Sequence, residues 1–194
     1  MTVISLVRHG QTDWNLDRRI QGTTDIPLND TGRSDARSAA ETLRGGEYDA
    51  IYASPLVRAQ ETGRIIADTL GLDAPQPLPG VREREFGDGE GLLVKDYLER
   101  YGDWHAPVPG AETLDQVRDR ALDEFDRIVR IARGRSAPRA ESIIVVSHGG
   151  VMRALMLHAS GGTLPRETDL LRNGQVVRFL AEPGSLRILE PVPA

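Results

Sequence analysis

Two histidines stand in matching local settings. His9 follows the apolar run 3–7 and Arg8 and precedes Gly10; His148 follows the apolar run 142–146 and Ser147 and precedes Gly149 and Gly150. An imidazole has an unperturbed pKa near 6.5, so it can act as a neutral nucleophile or a proton carrier near neutral pH. A glycine beside it lets a ligand approach the backbone closely. A helix start at that point offers free N–H groups and the positive end of a dipole, which favour an anion such as phosphate. Arg8 adjoins the first histidine, and Arg58 follows a third polar junction, Ser54-Pro55. Guanidinium groups grip phosphate oxygens bidentately. These types in this pattern suggest a cationic pocket that binds an anion such as phosphate. Spacing alone leaves a structural role open for each histidine, and Arg58 by itself reads as a helix-surface residue.

The junctions need strands to hold them. Residues 3–7, 49–53 and 142–146 read as short buried strands. Leu28-Asn29-Asp30-Thr31 supplies capping residues before a helix over 34–44, ended by Gly45-Gly46. Ser54-Pro55 starts a helix over 56–70, closed by Gly71. Residues 73–91, rich in Pro and Gly, form a long irregular connection of the kind that often carries function. A short helix over 92–100, a long amphipathic helix over 112–133 and a helix from about 151 to 159 are expected next. Residues 174–182 and 185–189, split by Pro183-Gly184, read as a terminal hairpin. This alternation predicts an α/β three-layer sandwich: a mostly parallel central sheet flanked by helices, with an antiparallel edge. The 194 residues carry no repeat or linker and are expected to form one domain, 1–194. Ligands in such sheets bind beyond the carboxyl ends of the strands, where all three junctions lie.

Composition narrows the function. Hydrophobic residues make up 39% and charged residues 27%, which suits a globular chain. No apolar run approaches the roughly 20 residues that span a bilayer. Arg8 and His9 interrupt the N-terminal apolar stretch, so no membrane partner and a cytoplasmic location are expected. Zero Cys excludes disulfides, thiolate metal sites and Cys nucleophiles. A net charge of −5 with 5% aromatics argues against nucleic acid, and makes arginines at the junctions a local contrast. Against a single Lys, Lys95, the remaining 23 of 24 basic residues are Arg, so no Arg is functional merely for being Arg. There is no Gly-x-Ser-x-Gly elbow and no P-loop, and Gly87-x-Gly89-x-Gly91 lacks the dinucleotide spacing. The four His show no metal-ligand spacing; neither metal nor cofactor is expected.

At Leu6-Val7-Arg8-His9-Gly10-Gln11-Thr12 the chain resembles the histidine phosphatase superfamily, the phosphoglycerate mutase-like family. The resemblance continues through Asp13-Trp14-Asn15, then from Gly22 to Leu28-Asn29-Asp30-Thr31-Gly32. It resumes at Ser54-Pro55-Leu56-Val57-Arg58-Ala59-Gln60-Glu61-Thr62, at Val81-Arg82-Glu83-Arg84-Glu85-Phe86-Gly87, at Pro109-Gly110-Ala111-Glu112-Thr113 and at Ser147-His148-Gly149-Gly150. The resemblance implies that His9 is a nucleophile forming a phosphohistidine. It implies that Arg8, Arg58 and His148 hold the phosphoryl oxygens, and that Glu83 is the proton donor and later the base for water. Gln11, Asn15, Gln21, Gly22 and Gly149 are the implied substrate-binding positions. Glu85, Asp88 and Glu90 lie near enough in sequence to share the role of Glu83. The chain departs from the family pattern at Gly89, where an aromatic usually stands.

The implied activity is metal-independent hydrolysis of small phosphate monoesters. The alternatives are a 2,3-bisphosphoglycerate-dependent phosphoglycerate mutase and a catalytically inactive regulatory relative. A mutase needs cationic groups for a second anion. The segment 92–108 has no adjacent Arg pair; Lys95, Arg100 and His105 are scattered. All five implied catalytic residues are present, which argues against an inactive relative. Tyr97, Trp104 and His105 either line the substrate side or, for the two aromatics, pack the short helix. The expected partner is a small-molecule phosphate monoester; a homodimer is allowed.

Overall fold

The computed structural model describes residues 1–166 and 168–189. Its strands are β1 Thr2–Arg8, β2 Ala50–Ala53, β3 Gln76–Pro77, β4 Glu141–Ser147, β5 Val176–Glu182 and β6 Ser185–Ile188. They form one sheet in the order β3-β2-β4-β1-β5-β6. The first four strands of that order run parallel, and β5 and β6 are antiparallel. Residues 3–7 of β1 and 143–146 of β4 are apolar, with Ser5 the exception, because both faces of these strands are covered, as in a central parallel strand. Ile4, Leu6, Ile143 and Val145 pack toward one helical layer, and Val7, Ile144 and Val146 toward the other.

The first layer is α5 Leu114–Ser136 and α6 Gly149–Ala159; the second is α2 Asp30–Leu43 and α3 Val57–Leu70. α5 buries Val117, Ala121, Phe125, Ile128, Val129 and Ala132, a stripe at helical spacing. The helices flank the sheet on both faces, and the hairpin supplies the antiparallel edge, as the alternation predicts.

Element ends shift where caps decide them. α2 begins at Asp30 rather than 34, because the Asn29 side chain accepts from the Gly32 N–H. α5 begins after Thr113, which forms a capping box with Gln116, and runs on to Ser136. α6 begins at Gly149, so both glycines lie inside its first turn. The connection 73–91 contains β3 and two 3-10 turns, Pro79–Val81 and Gly87–Gly89. Two further helices are α1 Asp13–Leu16, not anticipated from the sequence, and α4 Val94–Tyr101. A separate apolar cluster of Ile20, Tyr97 and Val108, with Phe86, Leu92 and Leu98 against it, forms a small cap. Among the described residues no helix is long and apolar enough to cross a membrane.

Candidate active site

The pairing of β1 with β4 sets Arg8 opposite Ser147. The His9 N–H donates to the Ser147 carbonyl at 2.9 Å, and His148 follows directly. The two strand ends therefore bring the histidines together, with ring centroids 5.1 Å apart and planes inclined by 58°. Their exposures are 2% and 0%. His9 Nδ1 lies 2.7 Å from the Gly10 carbonyl oxygen. A carbonyl can only accept, so Nδ1 carries the proton and Nε2 keeps the lone pair. Asn173 Nδ2 donates to the His9 carbonyl at 2.9 Å. The Gly10 N–H donates to Thr62 Oγ1 at 3.0 Å, and that hydroxyl donates to the Arg58 carbonyl at 2.7 Å. The end of β1 is thus tied to α3.

Burial, then the charges of Arg58 and Arg8, hold the His9 imidazole well below its ordinary 6.5. Burial, then Arg58, His9 and Arg8, do the same to His148. Both rings are neutral at neutral pH. His148 Nε2 is 2.7 Å from Ser54 Oγ. The Leu56 N–H points at the same oxygen from 3.4 Å, so the hydroxyl proton can donate to Nε2. The N–H of that ring then sits on Nδ1, which is buried with no partner among the described residues.

The two arginines are held in the same way. Arg58, fully buried on α3, donates from Nη1 to the Thr24 carbonyl at 2.8 Å and from Nη2 to the Gly22 carbonyl at 2.7 Å. Arg8 Nη1 donates to the Leu171 carbonyl. The Nε of each is buried and has no partner among the described residues. The turn that grips Arg58 is braced by Glu90. Its Oε1 accepts from Thr23 N and Oγ1 at 2.9 and 3.2 Å, and its Oε2 from Thr24 N and Oγ1 at 3.2 and 2.9 Å. Burial raises the Glu90 pKa, but these bonds outweigh it and hold the carboxyl below the usual range. Gly22 has φ +51°, and a Cβ there would lie 2.0 Å from Glu90 Oε1, so the turn admits only glycine.

Glu83 faces the start of α6. Its Oε1 accepts from Arg84 N at 2.9 Å and Gly150 N at 3.2 Å, while Oε2 shares the Gly150 N–H at 3.3 Å. When ionised, Glu83 acts electrostatically on both Arg8 and Arg58. The neighbouring acids go elsewhere. Glu85 pairs with Arg82 at 2.6 Å, Asp88 is exposed and Glu90 is the brace just described. Gly89, where the resemblance leads one to expect an aromatic, lies beneath Tyr97; a Cβ there would be 2.7 Å from Tyr97 Cε2. The Tyr97 ring takes that space.

The remaining expected positions divide. Gly149 opens α6 beside Arg8; a Cβ there would lie 3.4 Å from Arg8 Nε. Gln21 is 8% exposed and its Oε1 has no partner among the described residues. Asn15 Oδ1 accepts from Thr12 N, Thr12 Oγ1 and Asn173 Nδ2. Gln11 turns toward α2: its Oε1 accepts from Asn29 Nδ2 at 3.1 Å and its N–H donates to Asp35 at 3.0 Å. Tyr97 is 0% exposed and stacked on Trp104 at 5.2 Å, which is the packing role, and His105 is exposed. Sequence reasoning missed the hydroxyl contact of Ser54, Thr62 as a tie, Glu90 as a brace, and Asn173. Only the first three lie within motifs that drew attention. Among the described residues no group of three or more His, Cys, Asp or Glu could hold a metal ion. The site offers a nitrogen lone pair near buried N–H donors that have no partner among the described residues, a setting suited to a tetrahedral oxyanion.

The chain is similar to an uncharacterized phosphatase, PhoE, of Bacillus subtilis, 38% identical over 89% of this chain and 85% of that protein. It is 36% identical to a metal-independent phosphoserine phosphatase of Arabidopsis thaliana over 81% of this chain and 68% of that one. Phosphoglycerate mutases also match, at 31% identity. The solved structure of Bacillus stearothermophilus YhfR superposes with a TM-score of 0.83 at 29% identity, covering 97% of this chain and 96% of that one. A family model matches residues 4–191, and the chain belongs to the histidine phosphatase superfamily, branch 1.

Proposed function

We propose that the protein is a metal-independent phosphomonoesterase acting on small phosphorylated metabolites through a phosphohistidine, in a single domain over residues 1–194. The observation that carries this reading is the set of buried nitrogens near His9 that have no partner among the described residues: Arg8 Nε, Arg58 Nε and His148 Nδ1. Buried donors are ordinarily satisfied, and a phosphoryl group supplies the missing acceptors. In the first step His9 Nε2 attacks phosphorus and the bond to the ester oxygen breaks. The proton on Glu83 goes to the leaving oxygen. In the second step the Glu83 carboxylate takes a proton from water as that water attacks phosphorus. The N–P bond breaks, phosphate leaves, and His9 and Glu83 return to their starting states. Arg8, Arg58 and His148 hold the equatorial oxygens, which is the electrostatic part of the rate enhancement. A neutral imidazole meets no charge repulsion from the ester, and splitting the reaction is covalent catalysis.

Hydrolysis is favoured over phosphoryl isomerisation by the state of the cap cations. Lys95 and Arg100 are exposed on α4, and Arg84 donates to the carbonyls of Glu112 and Trp104 at 2.7 and 2.8 Å. The test is incubation with 3-phosphoglycerate and 2,3-bisphosphoglycerate alongside a panel of phosphomonoesters. Phosphate release without 2-phosphoglycerate supports the phosphatase; isomerisation outpacing release overturns it.

A further inference from the structure

Arg120 differs from the surface-paired arginines of α5. Arg118, Arg127 and Arg130 pair with acids one turn away on the helix surface. The Arg120 side chain is only 16% exposed and reaches away from the helix. Its Nε donates to Glu112 Oε1 at 2.8 Å. Nη1 donates to the carbonyls of Gly80 and Arg82, both at 2.7 Å. Nη2 donates to the Glu83 carbonyl at 3.0 Å and to Glu112 Oε2 at 2.8 Å. A guanidinium has five N–H donors, and all five have acceptors here. Three of those acceptors are main-chain carbonyls of one short segment, ending at Glu83 itself.

Glu112 closes the clamp from the far side. Its Oε2 accepts from the Glu85 N–H at 3.0 Å, and its own N–H donates to the Glu85 carbonyl at 2.9 Å. Burial of Glu112 is outweighed by Arg120 and the Glu85 N–H, which hold its carboxyl below the usual range. The backbone on both sides of Glu83 is thus fixed to α5 through one planar fork. A lysine has three donors radiating from one atom and cannot reach the same set.

We infer that Arg120 is a positioning residue, the group that sets where the Glu83 carboxyl meets the leaving oxygen. This rests on the reading of Glu83 as the proton donor. A displacement of about 1 Å at a reacting group costs on the order of 10²-fold. The loss should fall on esters that need protonation of the leaving group and spare those that do not.

The experiment compares Arg120→Lys, Arg120→Ala and Glu83→Gln with the parent on an alkyl phosphate and on 2,4-dinitrophenyl phosphate. For Arg120→Lys, kcat on the alkyl ester should fall on the order of 10²-fold, with KM and turnover of the activated ester little changed. Guanidinium ion should restore Arg120→Ala on the alkyl ester. The Arg120→Lys, Glu83→Gln double variant should lose little more than Glu83→Gln alone, since both act on one group. An equal loss on both esters, or none, in folded Arg120→Lys overturns the inference while leaving Glu83 in place. A Glu83→Gln variant without leaving-group selectivity overturns the acid assignment and this inference with it.

Discussion

Arg58→Met removes one positive charge and one donor without a partner among the described residues, Nε, from beside His9 while keeping most of the side-chain volume. Loss of one preorganised donor to a developing oxyanion costs about 10²–10³-fold in kcat, roughly 2.7–4 kcal/mol. The same change releases the carbonyls of Gly22 and Thr24, which Arg58 holds at 2.7 and 2.8 Å. An unsatisfied buried acceptor costs about 1–3 kcal/mol until water reaches it. In a chain of this size each kcal/mol lowers Tm by about 2–4 °C. The nucleophile changes as well. Burial, then Arg58 and Arg8, hold the His9 imidazole well below 6.5, and loss of Arg58 lets it rise toward 6.5. The acid limb of kcat/KM reports protonation of that ring. It should lie well below 6.5 in the parent and move upward in Arg58→Met. The assay is the initial rate of 4-nitrophenyl phosphate hydrolysis from about pH 4 to 8, with thermal melts of both proteins. A loss of less than about tenfold in a folded variant would refute the role of Arg58. A parent acid limb at or above the ordinary imidazole value would refute the electrostatic argument.

His9→Ala should abolish turnover and remove acid-labile 32P labelling; labelling that persists would move the nucleophile elsewhere. Hydrolysis should continue in excess EDTA, whereas a strict metal requirement would contradict the mechanism. Ser54→Ala should lower kcat and shift the His148 15N resonances away from the Nδ1–H tautomer; unchanged resonances would reject the role given to Ser54. His9 and His148 have lowered folded pKa values, so between those values and about 6.5 the unfolded chain binds more protons. Stability present above about 6.5 is therefore lost as pH falls through that window, and the urea midpoint should be lower near pH 5 than near pH 7. An equal or higher midpoint at the acid end would show that the two rings are not held neutral.

Local pattern settles a good deal in this chain. Short apolar runs bounded by Gly, Pro and capping residues are enough to place the strands, and the residues that end β1 and β4 then fall at the carboxyl rim of a parallel sheet. His9, Arg8 and His148 were legible as candidates for an anion site for that reason, and their roles only through the family resemblance. The fold class followed from the strand-helix alternation, with boundaries off by a few residues where a side-chain cap chose the start. Tertiary structure decided the rest. By spacing alone Arg58 reads as a surface residue, and only the family resemblance marked it; in the structure the Gly22 and Thr24 carbonyls, 36 and 34 residues away, close on it. Four acids crowd residues 83–90; the resemblance singled out Glu83, and packing against α6 sets it apart from Glu85, Asp88 and Glu90 in space. Arg120 was one arginine among 23, and its partners lie up to 40 residues away. Periodicity encodes which face of an element is apolar. It does not encode which distant carbonyl or carboxylate a buried guanidinium will meet, because that depends on how the layers pack.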